Sequence, residues 1–325
     1  MLYLVYRSIL LTIMKSSILV GGQAVIEGVM MRVPGAYATA VRKPDGSIMF
    51  DYHKFESKVL NSKVYSLPIF RGMVHLYESM KIGYQTLQWS AEISEPNHKP
   101  NKILDSILSF VSIIFSIALF VGIPIISADF LQSYFSIEKN SFIFNLISGS
   151  VRISIFLIYL TSISFMEDIK RLFQFHGAEH KTVYNFESGQ PLSAINAQSF
   201  PKEHPRCGTS FIFIVMLVSI LSYSIIDFFA VKMGLELTIL NRLLLHIPCL
   251  PIVAGFSYEV LKITARFQKH LFFRILAFPG LLLQKITTKA PNENQLAVAI
   301  EALKCAFGDD LEQYEGKQFN ADAIG

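Results

Sequence analysis

Charge is what this sequence has least of. Only 17% of its 325 residues are Asp, Glu, Lys or Arg, against about 25% in soluble domains. With 52% hydrophobic residues and a mean hydropathy of +0.42, that shortage excludes an ordinary soluble globule and points to an integral membrane protein whose partner is the lipid bilayer. The net charge is only +4. Neither an arginine-rich stripe nor an interleaved aromatic platform is present, so nucleic acid is excluded as an expected partner. Cysteine is scarce too: Cys207, Cys249 and Cys305 lie far apart in unlike surroundings, which excludes a disulfide framework. No internal repeat and no low-complexity run occurs. Residues 1–17 are an apolar leader, and its opening MLYLVYRSILLTIM falls short of the roughly 20 residues a crossing needs. It also lacks the small-residue cleavage site of a secretory signal, so we expect an interfacial segment or an upstream mis-start of translation.

What is present in quantity is long apolar sequence. Four segments, at about 103–128, 141–165, 209–231 and 240–263, are each long enough to cross a bilayer. Lys170, Arg171, Lys181, Lys202 and Arg206 crowd the 166–208 connection, whereas 129–140 and 232–239 hold only Lys139 and Lys232. Lys99 and Lys102 flank the first segment, and Lys262, Arg266 and Lys269 flank the last. The positive-inside rule then predicts a multi-pass plasma (inner) membrane protein with both termini and the 166–208 connection cytoplasmic. The stretch LFFRILAFPGLLLQKI at 271–286 is too short and too broken at Pro279-Gly280 for a fifth span; an interfacial or re-entrant segment is expected.

Around this transmembrane domain, 103–286, the chain has three other parts. Residues 18–63 mix β-branched residues, glycines and a Pro44-Asp45-Gly46 turn between Ala38–Val41 and Ile48–Phe50, the pattern of a hairpin in a small β-rich unit. Residues 64–102 carry a helical stripe of Ile69, Met73, Leu76, Met80, Tyr84 and Leu87 opposite Arg71, Glu78 and Lys81, followed by the linker SEPNHKPNK. That stripe suits a helix lying on the membrane or packed on the β unit. In 287–325, Asn292 and Gln295 form a capping box before a helix whose Leu296, Ile300 and Leu303 share one face. The expected fold class is an α-helical membrane protein with about four transmembrane helices, a small N-terminal β-rich cytoplasmic unit, an amphipathic helix and a C-terminal soluble helix.

Chemistry concentrates between Phe165 and Gly208. On a helix, His176 and His180 would share a face at i, i+4, with Glu179 beside them, in the H-x-x-E-H spelling of the inverted zinc hydrolases. His204 and Cys207 sit three residues apart in a bend made by Pro205 and Gly208, a spacing that offers two ligands to one ion. Each pair also has an ordinary reading as surface or loop residues. A shared site would be held by His176, His180 and one or both of His204 and Cys207, with a divalent metal, zinc in the first instance, and Glu179 as general base. If all four bind, coordination is closed and the site is structural. Gly177 costs a helix about 1 kcal/mol at the very place where helix is needed. Glu27, Arg32 and Arg206 are candidate substrate contacts, and Glu259, near the end of the last span, is a candidate extra ligand or proton acceptor unless it pairs with Arg266. Arg152, Asp227 and His246 are ionisable groups inside spans, with Asp227 placed to pair with Arg152.

The motifs GGQAVIEGVMMR (21–32), LPIFRGMVHLYESMKIG (67–83), FHGAEHKTVYNFE (175–187) and HPRCGTSF (204–211), with the tail from Thr287 through Leu303, make the chain resemble the YqhQ-like family of bacterial membrane proteins. In that family the GGQA motif lies close to the start, so the apolar leader departs from the pattern. The resemblance implies a multi-pass membrane protein of unassigned function, predicted to be a metal-dependent enzyme. The function expected is hydrolysis of an amphipathic or membrane-delivered substrate at the cytoplasmic membrane face. A non-enzymatic scaffold or assembly factor, with a structural metal or none, is the alternative. A small transporter is the third, for which four spans are few unless copies assemble as a homo-oligomer.

Overall fold

The computed structural model describes residues 20–96, 102–136, 142–267 and 270–319. The apolar leader, most of the linker after Ser94, and Lys99, Lys139 and Lys269 lie outside the described residues. An antiparallel meander comes first: β1 (Gly21–Val25), β2 (Gly28–Val33), β3 (Ala36–Arg42) and β4 (Ile48–Lys54), hydrogen-bonded in that order. In its register Gln23 faces Met30, Met31 faces Ala38 and Thr39 faces Asp51. The expected hairpin joins β3 to β4, its turn closed by Asp45 Oδ1, which accepts from the Ser47 amide at 2.8 Å.

The helices are α1 (Phe70–Ser94), α2 (Lys102–Ile117), a π-helical turn (Ala118–Gly122), α3 (Ile123–Tyr134), α4 (Phe142–Ile163), α5 (Glu167–Ser188), α6 (Ala194–Gln198), α7 (Gly208–Lys232), α8 (Ile239–Arg266), α9 (Leu271–Thr287), α10 (Glu293–Phe307) and α11 (Leu311–Tyr314). Among the described residues four helical stretches are long and apolar enough to cross a bilayer: Ser106–Tyr134, Phe142–Ile163, Gly208–Lys232 and Ile239–Thr264. Their outward side chains, Phe110, Ile114, Leu221, Phe228 and Leu244 among them, are apolar and exposed. That suits acyl chains better than water.

The sheet has two covered faces because the side chains of β2 and β3 alternate. Val29, Met31, Val33, Ala36, Ala38 and Ala40 pack against α5 and α10 in one core with Phe175, Val183, Leu296 and Leu303. Met30 and Tyr37, pointing the other way, pack against Ile82 of α1. α10 starts at the expected capping box, in which Asn292 Oδ1 accepts from the Gln295 amide at 2.9 Å and the Gln295 side chain returns the bond. Each fully buried leucine on its inner face contributes roughly 1.5–3 kcal/mol.

Three expectations are refined. Of the two settings expected for the α1 stripe, packing on the β unit is corrected: the helix buries Gly72, Glu78, Ile82, Thr86 and Ser90 and leaves Met80 and Tyr84 66% and 70% exposed, which suits the membrane-surface setting. The polar face wins because it has bonds to make. Gln23 Nε2 donates to Gly83 O and Thr86 Oγ1, Ser57 Oγ donates to Glu78, and the Arg71 guanidinium, held charged by its hydrogen bond to Glu259, forks onto that carboxylate of α8. Asp227 pairs with Arg242 and His246 instead of Arg152, which donates to the Phe120 carbonyl in the π-helical turn. The stretch after 270 is unbroken at Pro279-Gly280, one continuous 17-residue helix packed on α7 and α8, and it is not among the four bilayer-length stretches.

Candidate metal centre

α5 exists as a helix because Glu167 and Asp168 fill its first turn, where the macrodipole favours anions, and Gly189 ends it in the left-handed conformation. His176 and His180 therefore lie on one face, with ring centroids 4.5 Å apart. Gly177, a liability by helix propensity, has a reason here. A Cβ at that position would stand 2.2 Å from the carbonyl oxygen of Lys289, so only glycine admits the strand of chain that links α9 to α10.

That close approach orients the first imidazole. His176 Nδ1 lies 2.8 Å from the Thr287 carbonyl, and His180 Nδ1 contacts the Lys202 carbonyl. A carbonyl only accepts, so both Nδ1 atoms carry a proton, which leaves each Nε2 turned towards the cluster. His176 Nε2 lies 3.2 Å from Cys207 Sγ. Cys207 is the N-cap of α7, its sulfur also contacting the Thr209 amide at 3.4 Å and hydroxyl at 3.1 Å. The ligand atoms of His176, His180 and Cys207 all lie within 4.8 Å of one another. Glu179 is buried beside them, its Oε2 3.4 Å from His180 Nε2. β1 closes over it: a Cβ at Gly22 would stand 3.2 Å from Glu179 Cγ.

The fourth residue of the expected set lies beside the cluster but outside it, its ring centroid 5.6 Å from that of His180. His204 packs its ring on Tyr184, with centroids 4.4 Å apart, and turns Nδ1 to the Arg206 amide. Its Nε2 faces Glu187, 3.8 Å away, not the cluster. Burial pushes its pKa down to about 4, with only the Glu179 charge opposing, so the ring is neutral. The substrate-contact candidates are engaged within the chain. Glu27 pairs with Arg171 of α5, Arg206 with the buried Glu187, and the Arg32 guanidinium lies 4.4 Å from the centre of the Phe55 ring. Glu259 is held by Arg71 and takes no place in the cluster; the side chain of Arg266 lies outside the described residues.

Sequence reasoning missed the groups that hold the site. Gln284 is fully buried. It accepts from the His204 amide at 2.7 Å and donates to the His204 carbonyl at 2.8 Å and to Ser210 Oγ at 3.0 Å. A lone amide in the apolar run LLLQKI was the available signal. The Thr287 and Lys202 carbonyls carried none, because any residue supplies one.

These features define a mostly helical protein with four bilayer-length helices and a His/His/Cys cluster at the end of the bundle where α7 begins. The chain belongs to the family described as "Protein of unknown function (DUF1385)", which matches residues 67–309. It is 33% identical over 300 residues to the "Uncharacterized protein YqhQ" of Bacillus subtilis (strain 168), covering 87% of this chain and 90% of that one. No solved structure matches the chain.

Proposed function

We propose that the chain is a multi-pass plasma (inner) membrane protein that acts as a metal-dependent hydrolase at the cytoplasmic face. Its divalent cation, zinc by the chemistry of the donors, would be held by His176, His180 and Cys207. The observation that carries this reading is convergence: three ligand atoms within 4.8 Å, two of them on imidazoles whose other nitrogens face backbone carbonyls. Such carbonyls are what orient histidine ligands in metalloproteins. Two nitrogens and a sulfur suit zinc, and three protein ligands leave one position of a four-coordinate ion for solvent or substrate. When bound, zinc supplies Lewis acidity, polarising a carbonyl or phosphoryl oxygen and lowering the pKa of water.

The chain's own groups supply the rest. Glu179, with its carboxylate beside His180, is placed to accept a proton from an attacking water. The neutral His204 and the Arg206–Glu187 pair wall the site from behind, and the Glu27–Arg171 pair fastens the β1–β2 turn to α5. We assign Glu27, Arg32 and Arg206 to holding the site together, since Glu27 and Arg206 are paired with Arg171 and Glu187 and the Arg32 guanidinium lies against the Phe55 ring. An amphipathic or membrane-delivered substrate fits a site at the junction of the bundle and the sheet domain.

A structural metal in a non-enzymatic scaffold is the competing reading. It is favoured by burial, since His180 is 2% and Cys207 8% exposed. The two are separated by cobalt substitution of the detergent-purified chain. An open position predicts that azide shifts the visible cobalt spectrum and that Glu179→Gln keeps the metal while altering the pH dependence of that shift. A closed site predicts a spectrum indifferent to azide. Absence of bound metal in chelator-free preparations, with His176→Ala, His180→Ala and Cys207→Ala all silent, would sink both.

A further inference from the structure

At the far end of the bundle from the candidate metal centre, a second polar cluster is buried among helices of bilayer length. α4, α7 and α8, with Ile125 of α3, enclose a cavity large enough for about one water, lined by Asn145, Ser148, Arg152, Tyr223, Arg242 and His246. Most of these polar groups have protein partners. Asp227 accepts from Asn145 Nδ2 at 2.9 Å, Arg242 Nη1 at 2.7 Å and His246 Nε2 at 2.8 Å, and the His246 ring stacks on Tyr223 with centroids 4.2 Å apart. Arg242 also lies 3.7 Å over the Phe144 ring.

Two groups are different. Among the described residues the Arg152 guanidinium makes one hydrogen bond, from Nε to the Phe120 carbonyl at 3.0 Å, and has no carboxylate within 4.0 Å. Ser148 is only 6% exposed, and among the described residues its hydroxyl has no hydrogen-bond partner. Ser148 and Arg152 are i, i+4 on α4, so their side chains share a face. Arg152 stands at the middle of its 22-residue helix, about 15 Å from either end at 1.5 Å per residue. Lipid headgroups do not reach that depth, and a cation left there without a counter-charge is costly.

We propose that Arg152 and Ser148 bind a small inorganic anion of halide size at mid-bilayer. The Asn145, Asp227, Arg242 and His246 cluster then forms the polar shaft from the helix ends down to it. The lining offers what a halide needs, an unmatched positive charge and an unengaged hydroxyl, and the cavity is too small for phosphate or sulfate. This site is independent of the metal centre and survives if that reading fails.

The test is thermal unfolding of the full-length protein in detergent at fixed ionic strength, with sodium gluconate replaced stepwise by chloride, bromide or sulfate. Chloride and bromide are expected to raise the midpoint saturably, and sulfate to leave it unchanged. Arg152→Gln should abolish the rise and, having lost an unmatched cation, unfold in gluconate no earlier than wild type. Ser148→Ala should weaken halide binding about tenfold, the value of one hydrogen bond to a charged group. Should Arg152→Gln fail to fold, chloride-35 line broadening by the wild type, reduced in Ser148→Ala, supports the site directly. Identical curves in chloride and gluconate, or a rise that persists in Arg152→Gln, would show that the cavity holds water only and overturn the proposal.

Discussion

Gly177→Ala sets two effects against each other. Replacing a helical glycine with alanine ordinarily stabilises by about 1 kcal/mol. Here the added methyl would lie 2.2 Å from Lys289 O and 3.3 Å from its carbonyl carbon. Ordinary C···O contacts begin near 3.3 Å, so the chain between α9 and α10 must retreat by about 1 Å. Overpacking of that kind costs about 1–3 kcal/mol. The same displacement moves Thr287 O, two residues earlier, out of reach of His176 Nδ1, losing a hydrogen bond worth about 1 kcal/mol. Crowding wins, and the variant should be less stable by about 1–3 kcal/mol despite its better helix propensity. On the proposed metal reading, loss of the His176 orientation should also lower metal affinity about 10–100-fold. Thermal unfolding in detergent reads the first effect and competition with a chromophoric chelator reads the second. An alanine variant more stable than wild type, with unchanged metal affinity, would refute the reasoning at its root.

Three further outcomes follow from the geometry. Gln284→Leu strands the His204 amide and carbonyl in a buried site, at about 1–3 kcal/mol each; equal midpoints for wild type and leucine variant would contradict this. His204 has a folded pKa of about 4 against about 6.5 unfolded, so the unfolded chain binds the extra proton between those values. Stability of the metal-free protein should therefore fall as pH drops from about 6.5 towards 4, by on the order of 3 kcal/mol. His204→Asn should flatten that slope, and an unchanged slope would remove His204 as its source. Arg71→Ala should loosen α1 from α8 and speed proteolysis between residues 56 and 70, and Arg71→Ala with Glu259→Gln should be milder than the single variant, because no unmatched carboxylate remains; additive losses would speak against the pair.

The sequence made some layers of this structure legible and hid others, for physical reasons. Apolar length announced the bilayer-length helices, turn chemistry announced the β3–β4 hairpin, and the Asn292/Gln295 box announced α10, because each is a local rule. The i, i+4 histidines were legible once α5 was granted. Cys207 and His204 were not separable, since three residues of spacing cannot say which side chain turns inward; Gln284, 80 residues away, decides that by clamping the His204 backbone. For α1, periodicity identified the apolar stripe but not which of its two expected partners it meets, and long-range bonds from Gln23 and Glu259 turned the other face towards the protein. The partners of Glu27 and Arg32 were not legible either, because Arg171 and Phe55 lie 144 and 23 residues away in the chain.

The domain that carries the cluster is stitched from three stretches of chain with the bundle threaded between them: the strands, α5 and α10. The strands leave the ribosome about 240 residues before the last helix that covers them. At about 5–20 residues per second, one face of the sheet waits roughly ten to fifty seconds without its lid, while the apolar helices are still being made. For that interval Val29, Met31 and Ala38 are open to any passing apolar surface. Production of this protein should therefore depend on the tempo of synthesis and on whatever shields nascent strands, more than its finished stability would suggest.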